Sequence, residues 1–377
     1  MKNHPQGGFT LVELLVSTAI ITVLMVILVS ITNQTNSVWR YTSGKMEQFR
    51  ESRNAFDTVT TRLSQATLNT YWDYNDPKAP INYERRSELR FISGHRSLSD
   101  PKELLGDYDG ARRVSHSIFF HAPLGFVEHA AGRKSKYNGL SNLLNVWGYY
   151  VELQDDENFR PGFIQRIKPE IPLRTRFRLM EFMQPAEQLQ TYSHTSGTVS
   201  KPTASKSYTG LDWFKPLVNK ADAPVHVLSE NIIALVILPQ LTKQDREYAS
   251  KTGGATELAP NYNYDSTSDG DTRGGGGDGR NVNTRNQLPP VVQVTLVAID
   301  EQSALRLSPR GHEELVDAVQ TKFTKASKFN TDLALNQDLA DDATLENKLV
   351  SMKVNYRVFT TNVPIKSAKW SREQSQK

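Results

Sequence analysis

Apolar residues are distributed unevenly along the chain. From Phe9 to Ile31 they run almost without a break, and the only charged residue inside that run is Glu13. About 20 such residues are enough to cross a bilayer as a helix. No second run approaches that length; residues 225–241 come nearest, and Glu230, Asn231 and Pro239 interrupt them. Past the run the apolar positions take up helical spacing. Phe49, Phe56, Val59, Leu63 and Ala66 recur on one side, while Arg50, Glu51, Arg53, Asp57 and Arg62 occupy the others. The pattern predicts one long helix with an apolar half over 9–31 and an amphipathic half over 32–75. Asp76-Pro77 ends it, because the residue before a proline avoids helical geometry. Weak helix formers around Gly44 favour a kink there.

From residue 88 onward the pattern changes to short strands at 89–93, 117–121, 146–154, 232–238, 291–299 and 350–360. In the last of these, Met352, Val354, Tyr356 and Val358 share a face. Residues 177–183 read either as a further strand or as the start of a helix at Arg178. Helical segments are predicted at 311–326 and 345–349. Residues 252–290 follow no period and carry eight of the 22 glycines, so a loosely ordered loop that builds no core is expected there. The fold class that results is α+β: a long N-terminal helix packed on an antiparallel sheet, with a globular head over 76–377.

Composition narrows the function. Hydrophobic residues make up 38 % of the 377 positions, so beyond the apolar run the chain reads as one polar globular head. There is no cysteine, which excludes disulfides, thiolate catalysis and cysteine-based zinc sites. Basic residues number 45 against 41 acidic, a net charge of +4. Basic residues cluster at Arg85-Arg86, Arg112-Arg113, Arg133-Lys134-Ser135-Lys136 and Arg174-Thr175-Arg176-Phe177-Arg178, and in the last of these strand alternation places three arginines on one face. A solvated sheet face is expected. No nucleic-acid partner is expected, since no aromatic-interleaved RNA motif or helix-turn-helix pattern accompanies the cluster.

Catalytic signatures are missing: there is no H-E-x-x-H, no G-x-S-x-G elbow and no Walker A loop. His116 and His121 are five apart on a predicted strand, so they face opposite ways rather than converging on a metal. Neither an enzyme nor a resident cofactor is expected. The one metal candidate is calcium at Asp265, Asp269 and Asp271, with Gly270 at the turn. Those residues match positions 1, 5, 7 and 6 of an EF-hand loop, but Thr267 and Gly276 stand where ligands belong. A solvated acidic loop is the preferred reading.

The N-terminus carries Gly7-Gly8-Phe9-Thr10-Leu11-Val12-Glu13. An ordinary secretory signal would have a basic leader and a small-residue box after the apolar core. Here Lys2 is the leader's only fixed positive charge, and Thr32-Asn33-Gln34-Thr35 follows the core. The segment resembles the class III signal of type IV pilins and type II secretion pseudopilins. The resemblance implies that prepilin peptidase removes the leader 1–8 after Gly8 and methylates the new N-terminus at Phe9. It implies that residues 9–31 remain as a transmembrane helix in the cytoplasmic membrane, with the head on the periplasmic or outer side. It also implies assembly with other pilin-like subunits through Glu13. A charge inside the membrane is costly and calls for a partner, and the α-amino cation of a neighbour's Phe9 would supply one.

Phe56-Asp57-Thr58-Val59-Thr60-Thr61-Arg62-Leu63-Ser64-Gln65-Ala66 is similar to the helix of the J-type minor pseudopilins. Four further segments, at 178–185, 230–235, 258–266 and 288–295, resemble the Verru_Chthon cassette protein C family. That family supplies no known activity and implies sister pilin-like proteins as partners. The expected function is therefore a minor structural subunit of a type II secretion-like or type IV pilus-like apparatus. The alternative is a membrane-anchored surface binding module, an adhesin or substrate-capture head on the same stem.

Overall fold

The structure is a computed structural model and describes residues 10–74, 76, 78–95, 104–108, 110–128, 137, 139–161, 163–164, 172–189, 191, 211, 213–220, 223–252, 256–267 and 284–370. The chain divides into two compact units, 1–50 and 51–377. A single helix, α1 (Leu11–Leu63), contributes to both.

From Leu11 to Trp39 α1 is bare. Leu11–Trp39 is long and apolar enough to cross a membrane, and none of it is buried within the chain. Along this stretch the hydroxyls of Ser17, Thr18, Thr22 and Thr32 donate to backbone carbonyls three or four residues back. These four hydroxyls are thus satisfied without water, as hydrocarbon requires.

In the second unit the last turns of α1 bury Ala55, Phe56, Val59 and Leu63. The helix ends at Leu63, twelve residues earlier than the expected boundary at 75. The chain is captured by hydrogen bonds that helix continuation would forbid. The amides of Gln65 and Ala66 fold back onto the carbonyls of Arg62 and Leu63 (3.0 Å each), and Thr67 N–H donates to His121 C=O (2.8 Å). Asn69 Oδ1 then accepts from the Glu88 and Leu89 amides (3.0 and 3.1 Å). Residues 71–74 are strand β1 (Tyr71–Tyr74), paired with β2 (Tyr83–Arg86) in a two-stranded sheet.

The head is α+β, as expected. Its large sheet contains β3 (Ile92–His95), β4 (Arg112–Ala122), β5 (Asn145–Gln154), β6 (Arg176–Gln184), β7 (Val225–Glu230) and β9 (Tyr264–Asp265), in the antiparallel order β7-β6-β5-β4-β3-β9. A second antiparallel sheet has the order β11-β10-β8, from β8 (Ile232–Gln240), β10 (Val291–Ile299) and β11 (Tyr356–Pro364). Residues 177–183 are therefore strand, which closes the strand-or-helix alternative. The helices are α2 (Lys215–Val218), α3 (Lys243–Thr252), α4 (Glu301–Arg306), α5 (Pro309–Thr321), α6 (Phe329–Leu333) and α7 (Leu345–Ser351).

One face of the large sheet carries Phe119, Tyr150, Met180 and Phe182, covered by Trp213, Phe214, Leu217 and Val218 of the α2 segment. Phe119 stacks on Phe214 at 3.9 Å. Gly148 sits opposite Phe119, whose ring lies 2.3 Å from where a Cβ would be, so no larger residue fits. By strand alternation the opposite face carries Trp147, Tyr149 and Glu181, which meet Arg62 of α1.

A bulge in β4 joins the two sheets. Its register against β5 shifts between Val114 and Ile118, and Ser115 adopts φ 62°. The bulge aims two side chains at the outer edge of β8. Ser115 Oγ accepts from Leu235 N–H (3.0 Å), and His116 Nδ1 accepts from Ile237 N–H (3.0 Å). With Nδ1 accepting from that amide, Nε2 donates to Phe323 C=O (3.2 Å), while Nδ1 also lies 3.2 Å from Ile237 C=O. Burial, and then the neighbouring His95, hold His116 down to about 3. His121 is also fully buried, held down to about 4 by burial, and it stacks on Trp213 at 4.7 Å. The register shift against β5 falls between Val114 and Ile118, a stretch that contains Ser115 and His116. Against β3 the ladder from His116 to Phe119 is unbroken, so His116 and His121 face opposite ways, as their spacing predicts.

Three other expectations are corrected. Residues 350–360 do not form one strand: α7 runs to Ser351 and closes on Lys353 at φ 53°. Lys353 N–H donates to Val350 C=O and Val354 N–H to Leu349 C=O (2.9 Å each), the two bonds of a Schellman stop. Strand geometry begins only at Tyr356. Within 252–290 the described residues do build core. Leu258, Ala259, Tyr262, Tyr264 and Leu288 are buried, and β9 extends the large sheet. Their aromatic and aliphatic side chains outweigh the glycine-rich composition around them.

Of the arginine cluster only Arg174 is exposed, so the solvated face expected there is not formed by Arg176 and Arg178. Arg176 pairs with Glu230 (3.1 Å) and with Glu301 of α4. Arg178 is fully buried, donates to the carbonyls of Gln154 and Asp155 (3.0 Å each) and lies over the Phe159 ring at 4.4 Å. Cross-strand glutamate and carbonyl partners are what let these charges leave water.

Candidate functional site: the first turn of the stem

The expected processing residues Gly8 and Phe9 lie outside the described residues. Glu13 lies inside them, on the first turn of α1. Thr10 is the residue before the helix, and Thr10 N–H and Oγ both donate to Glu13 Oε2 (3.1 Å each). In return Glu13 N–H donates to Thr10 Oγ (3.3 Å). This is a reciprocal capping box, with a threonine at the cap and a glutamate three residues on. It satisfies helix-end donors that would otherwise stand bare in hydrocarbon. The sequence carried the signal in Thr10-Leu11-Val12-Glu13, and reading Glu13 solely as an intermolecular charge missed it.

The box changes what Glu13 needs. A carboxylate with no partner in the span is expensive. Here one oxygen is already engaged by Thr10, and the residue is on the exposed surface of the helix. The carboxylate is thereby held at a fixed height on the first turn, facing outward.

At the other end of α1 a second cluster ties the helix to the large sheet, and sequence reading gave no sign of it. Glu181 of β6 is almost wholly buried. Its Oε2 accepts from Arg62 and from Tyr149 Oη (2.9 Å), and its Oε1 meets His226 Nε2 of β7 at 2.7 Å. The Arg62 guanidinium also lies over the Trp147 ring at 4.1 Å. Burial pushes the Glu181 carboxyl up, but hydrogen bonding from His226 and the charge and hydrogen bond of Arg62 outweigh it, and the group ends below the usual carboxylate range. Three elements, α1, β5 and β7, converge on this carboxylate of β6. It fastens the helix and has no open side for a substrate.

Of the calcium candidates, Asp269 and Asp271 lie outside the described residues. Asp265 is in β9, where Arg90 donates to both of its oxygens, one of them at 2.9 Å, and Thr267 donates to Oδ1 through N–H and hydroxyl (3.0 and 2.8 Å). Burial pushes Asp265 up, and the hydrogen bonds and charge of Arg90 outweigh it, so it too sits low. Among the described residues no three histidine or acidic side chains are grouped to hold a metal ion.

No curated protein and no solved structure matches the chain. Residues 3–29 match the family described as the prokaryotic N-terminal methylation motif, a type IV pilin-like signal that includes Gly8, Phe9 and the capping box.

Proposed function

We propose that the chain is a minor pilin-like or pseudopilin subunit of a type II secretion-like or type IV pilus-like apparatus. The observation that carries this reading is the coincidence of the methylation motif at 3–29 with a bare apolar helix that keeps one carboxylate on its first turn. In this reading prepilin peptidase cuts after Gly8 and methylates Phe9. The stem stays in the cytoplasmic membrane as a single pass with the head on the periplasmic or outer side. Glu13 then meets the Phe9 amine of a neighbouring pilin-like subunit. The head's segments similar to the Verru_Chthon cassette protein C family support sister subunits as partners. The bulk of the head, which is hard to stack at close spacing, supports a low-copy position. The role is structural rather than catalytic, and no cofactor is required; calcium at Asp265, Asp269 and Asp271 is not part of it.

Glu13 variants test the reading, with a crosslinking probe near Val16 in membranes. Glu13→Ala is expected to insert and be cleaved normally but to lose crosslinking to pilin-like subunits, with Glu13→Asp intermediate. Equal crosslinking in all variants would reduce the protein to an anchored head, the surface binding module that is the second reading. Intact mass of the membrane-derived protein checks processing, and a mature end after Ile31 would sink the pilin-like assignment.

A further inference from the structure

The smaller sheet has two outer edges, and they are finished differently. Along β8 the outward amides of Leu235 and Ile237 are taken up by Ser115 and His116 of the β4 bulge. Along β11 the phase of the ladder follows from its two ends. Asp300 N–H donates to Asn355 C=O and Ile365 N–H to Pro290 C=O (3.1 Å each), and the register between them is unbroken from Ile299↔Tyr356 to Val291↔Pro364. Hydrogen-bonded and non-bonded pairs alternate in an antiparallel ladder. The odd-numbered residues 355–365 therefore turn their N–H and C=O groups towards β10. Tyr356, Val358, Thr360 and Asn362 turn theirs outward, and among the described residues no backbone hydrogen bond reaches them.

Such an edge is a template for another chain unless it is blunted by shortness, bulges, prolines or charge. The other outer edges of the head are blunted. β1 and β2 have four residues each, β9 has two, and the pairing of β7 is broken by a bulge opposite Leu179 and Met180. β11 keeps nine residues in register, carries a single charge at Arg357 and has its proline only at the last position. Arg357 is exposed and lies over the Phe359 ring at 5.6 Å, with no ion pair among the described residues.

We propose that the outer edge of β11 accepts an extended segment of a neighbouring pilin-like subunit as an added strand. The segment carries a carboxylate across from Arg357 and β-branched residues beside Val358 and Thr360. Backbone groups supply the attachment and the arginine supplies the register, the usual division in strand addition. A second copy of β11 does not fit, because Tyr356–Pro364 contains no acidic residue and would bring a second arginine instead. The inference rests on the pilin-like reading above and names the head surface that reading leaves open.

The absence of native cysteine makes single-cysteine probes clean. In membranes of cells expressing the full chain with its pilin-like partners, Thr360→Cys carrying a photo-crosslinker is expected to capture a pilin-like subunit. Val16→Cys serves as the stem control. Adding Arg357→Glu at this exposed position is expected to cut the Thr360 crosslink about tenfold, the loss of one well-placed charge pair, while leaving the stem crosslink and the thermal midpoint of the head unchanged. Val358→Pro removes one outward N–H without touching the ladder to β10 and is expected to do the same. If the stem probe crosslinks and the Thr360 probe captures nothing, strand addition is overturned and the pilin-like reading stands. If Thr360 captures only a second copy of this chain, the partner is wrong. If neither probe captures a subunit, both readings fall together.

Discussion

The two ends of α1 belong to one helix and treat their apolar side chains in opposite ways. Between Leu11 and Trp39 large apolar side chains are exposed, with Leu11 at 82 % and Val12 at 69 %. Between Glu51 and Leu63 the apolar positions are buried, with Val59 and Leu63 at 0 %. The first stretch places apolar side chains all round the helix, and the second confines them to one stripe. A helix that is hydrophobic all round belongs in a core or a membrane, whereas a striped one belongs on the surface of a domain. The handling of charge differs in the same way. Glu13 leans on its own cap, while Arg62 is neutralised by a carboxylate 119 residues away in sequence.

The largest effect should come from separating the two stretches. A chain beginning at Glu51 is expected to leave the membrane fraction entirely and to remain folded, since the only membrane-length apolar stretch among the described residues is gone and the second unit keeps its own core. Fractionation and circular dichroism check this. A soluble but unfolded head would show that the stem contributes to the core after all.

Next in size is the Glu181 clasp. Glu181→Ala leaves Arg62 packed between Trp147 and Tyr149 without its counter-charge, and removing one partner of a buried pair costs about 3–5 kcal/mol. Denaturant melts of the head should show the loss, at the low end because Arg62 keeps some contact with water. Membrane insertion of the stem should not change. The complementary Arg62→Met keeps the contact with Trp147 and leaves Glu181 its bonds to Tyr149 and His226, so a smaller loss is expected there.

Most of the frame was legible in the sequence, and the misses share a cause. The apolar run, the buried strands β8 and β10 and the helix α5 follow from periodicity, which is local. The end of α1, the burial of Arg178 and the core built by Tyr262 and Tyr264 depend on partners far along the chain. His121, Glu230 and Arg90 belong to other strands or their flanks, and no window of neighbouring residues contains them. At the candidate site the balance reverses. Glu13 stood out from its cost in lipid, and its capping partner was three residues away in plain view, obscured because the charge already had an intermolecular explanation.

Acid should separate the units next. His116 and His121 are held neutral in the head, at about 3 and about 4, against 6.5 for a free imidazole. The unfolded chain therefore binds protons that the folded head refuses. Their contribution to stability is complete above about 6.5 and is lost progressively as pH falls from there towards the folded values. The melting midpoint of the head is expected to drop over that window, and His116→Ala should flatten the drop while lowering stability at neutral pH. The apolar stretch of the stem contains no histidine, so its helicity in detergent should stay level. A parallel loss in both units would mean that the buried histidines are not the cause.

The smallest effect is a matched pair of caps. Thr10 caps α1 and Thr344 caps α7, each with its hydroxyl accepting an amide three residues on, at 3.3 and 3.0 Å. Replacing a threonine cap by alanine typically costs about 1 kcal/mol. For Thr344→Ala that loss should appear in the melt of the head, because Thr344 is fully buried and α7 packs among core residues. For Thr10→Ala the head should melt unchanged. The effect belongs to the first turn alone, where the amide of Glu13 loses its acceptor and the Glu13 carboxylate loses the hydroxyl that steadies it. Hydrogen exchange of the stem in detergent micelles should show faster exchange at Glu13, with Leu14 little changed because its amide bonds to the Thr10 carbonyl at 3.2 Å, which alanine retains. Thr10→Ser should restore slow exchange, since only the hydroxyl is needed. If Thr10→Ala left the Glu13 amide as slow as before, the capping box would not be what holds the carboxylate. Glu13 would then depend wholly on a partner from outside the chain.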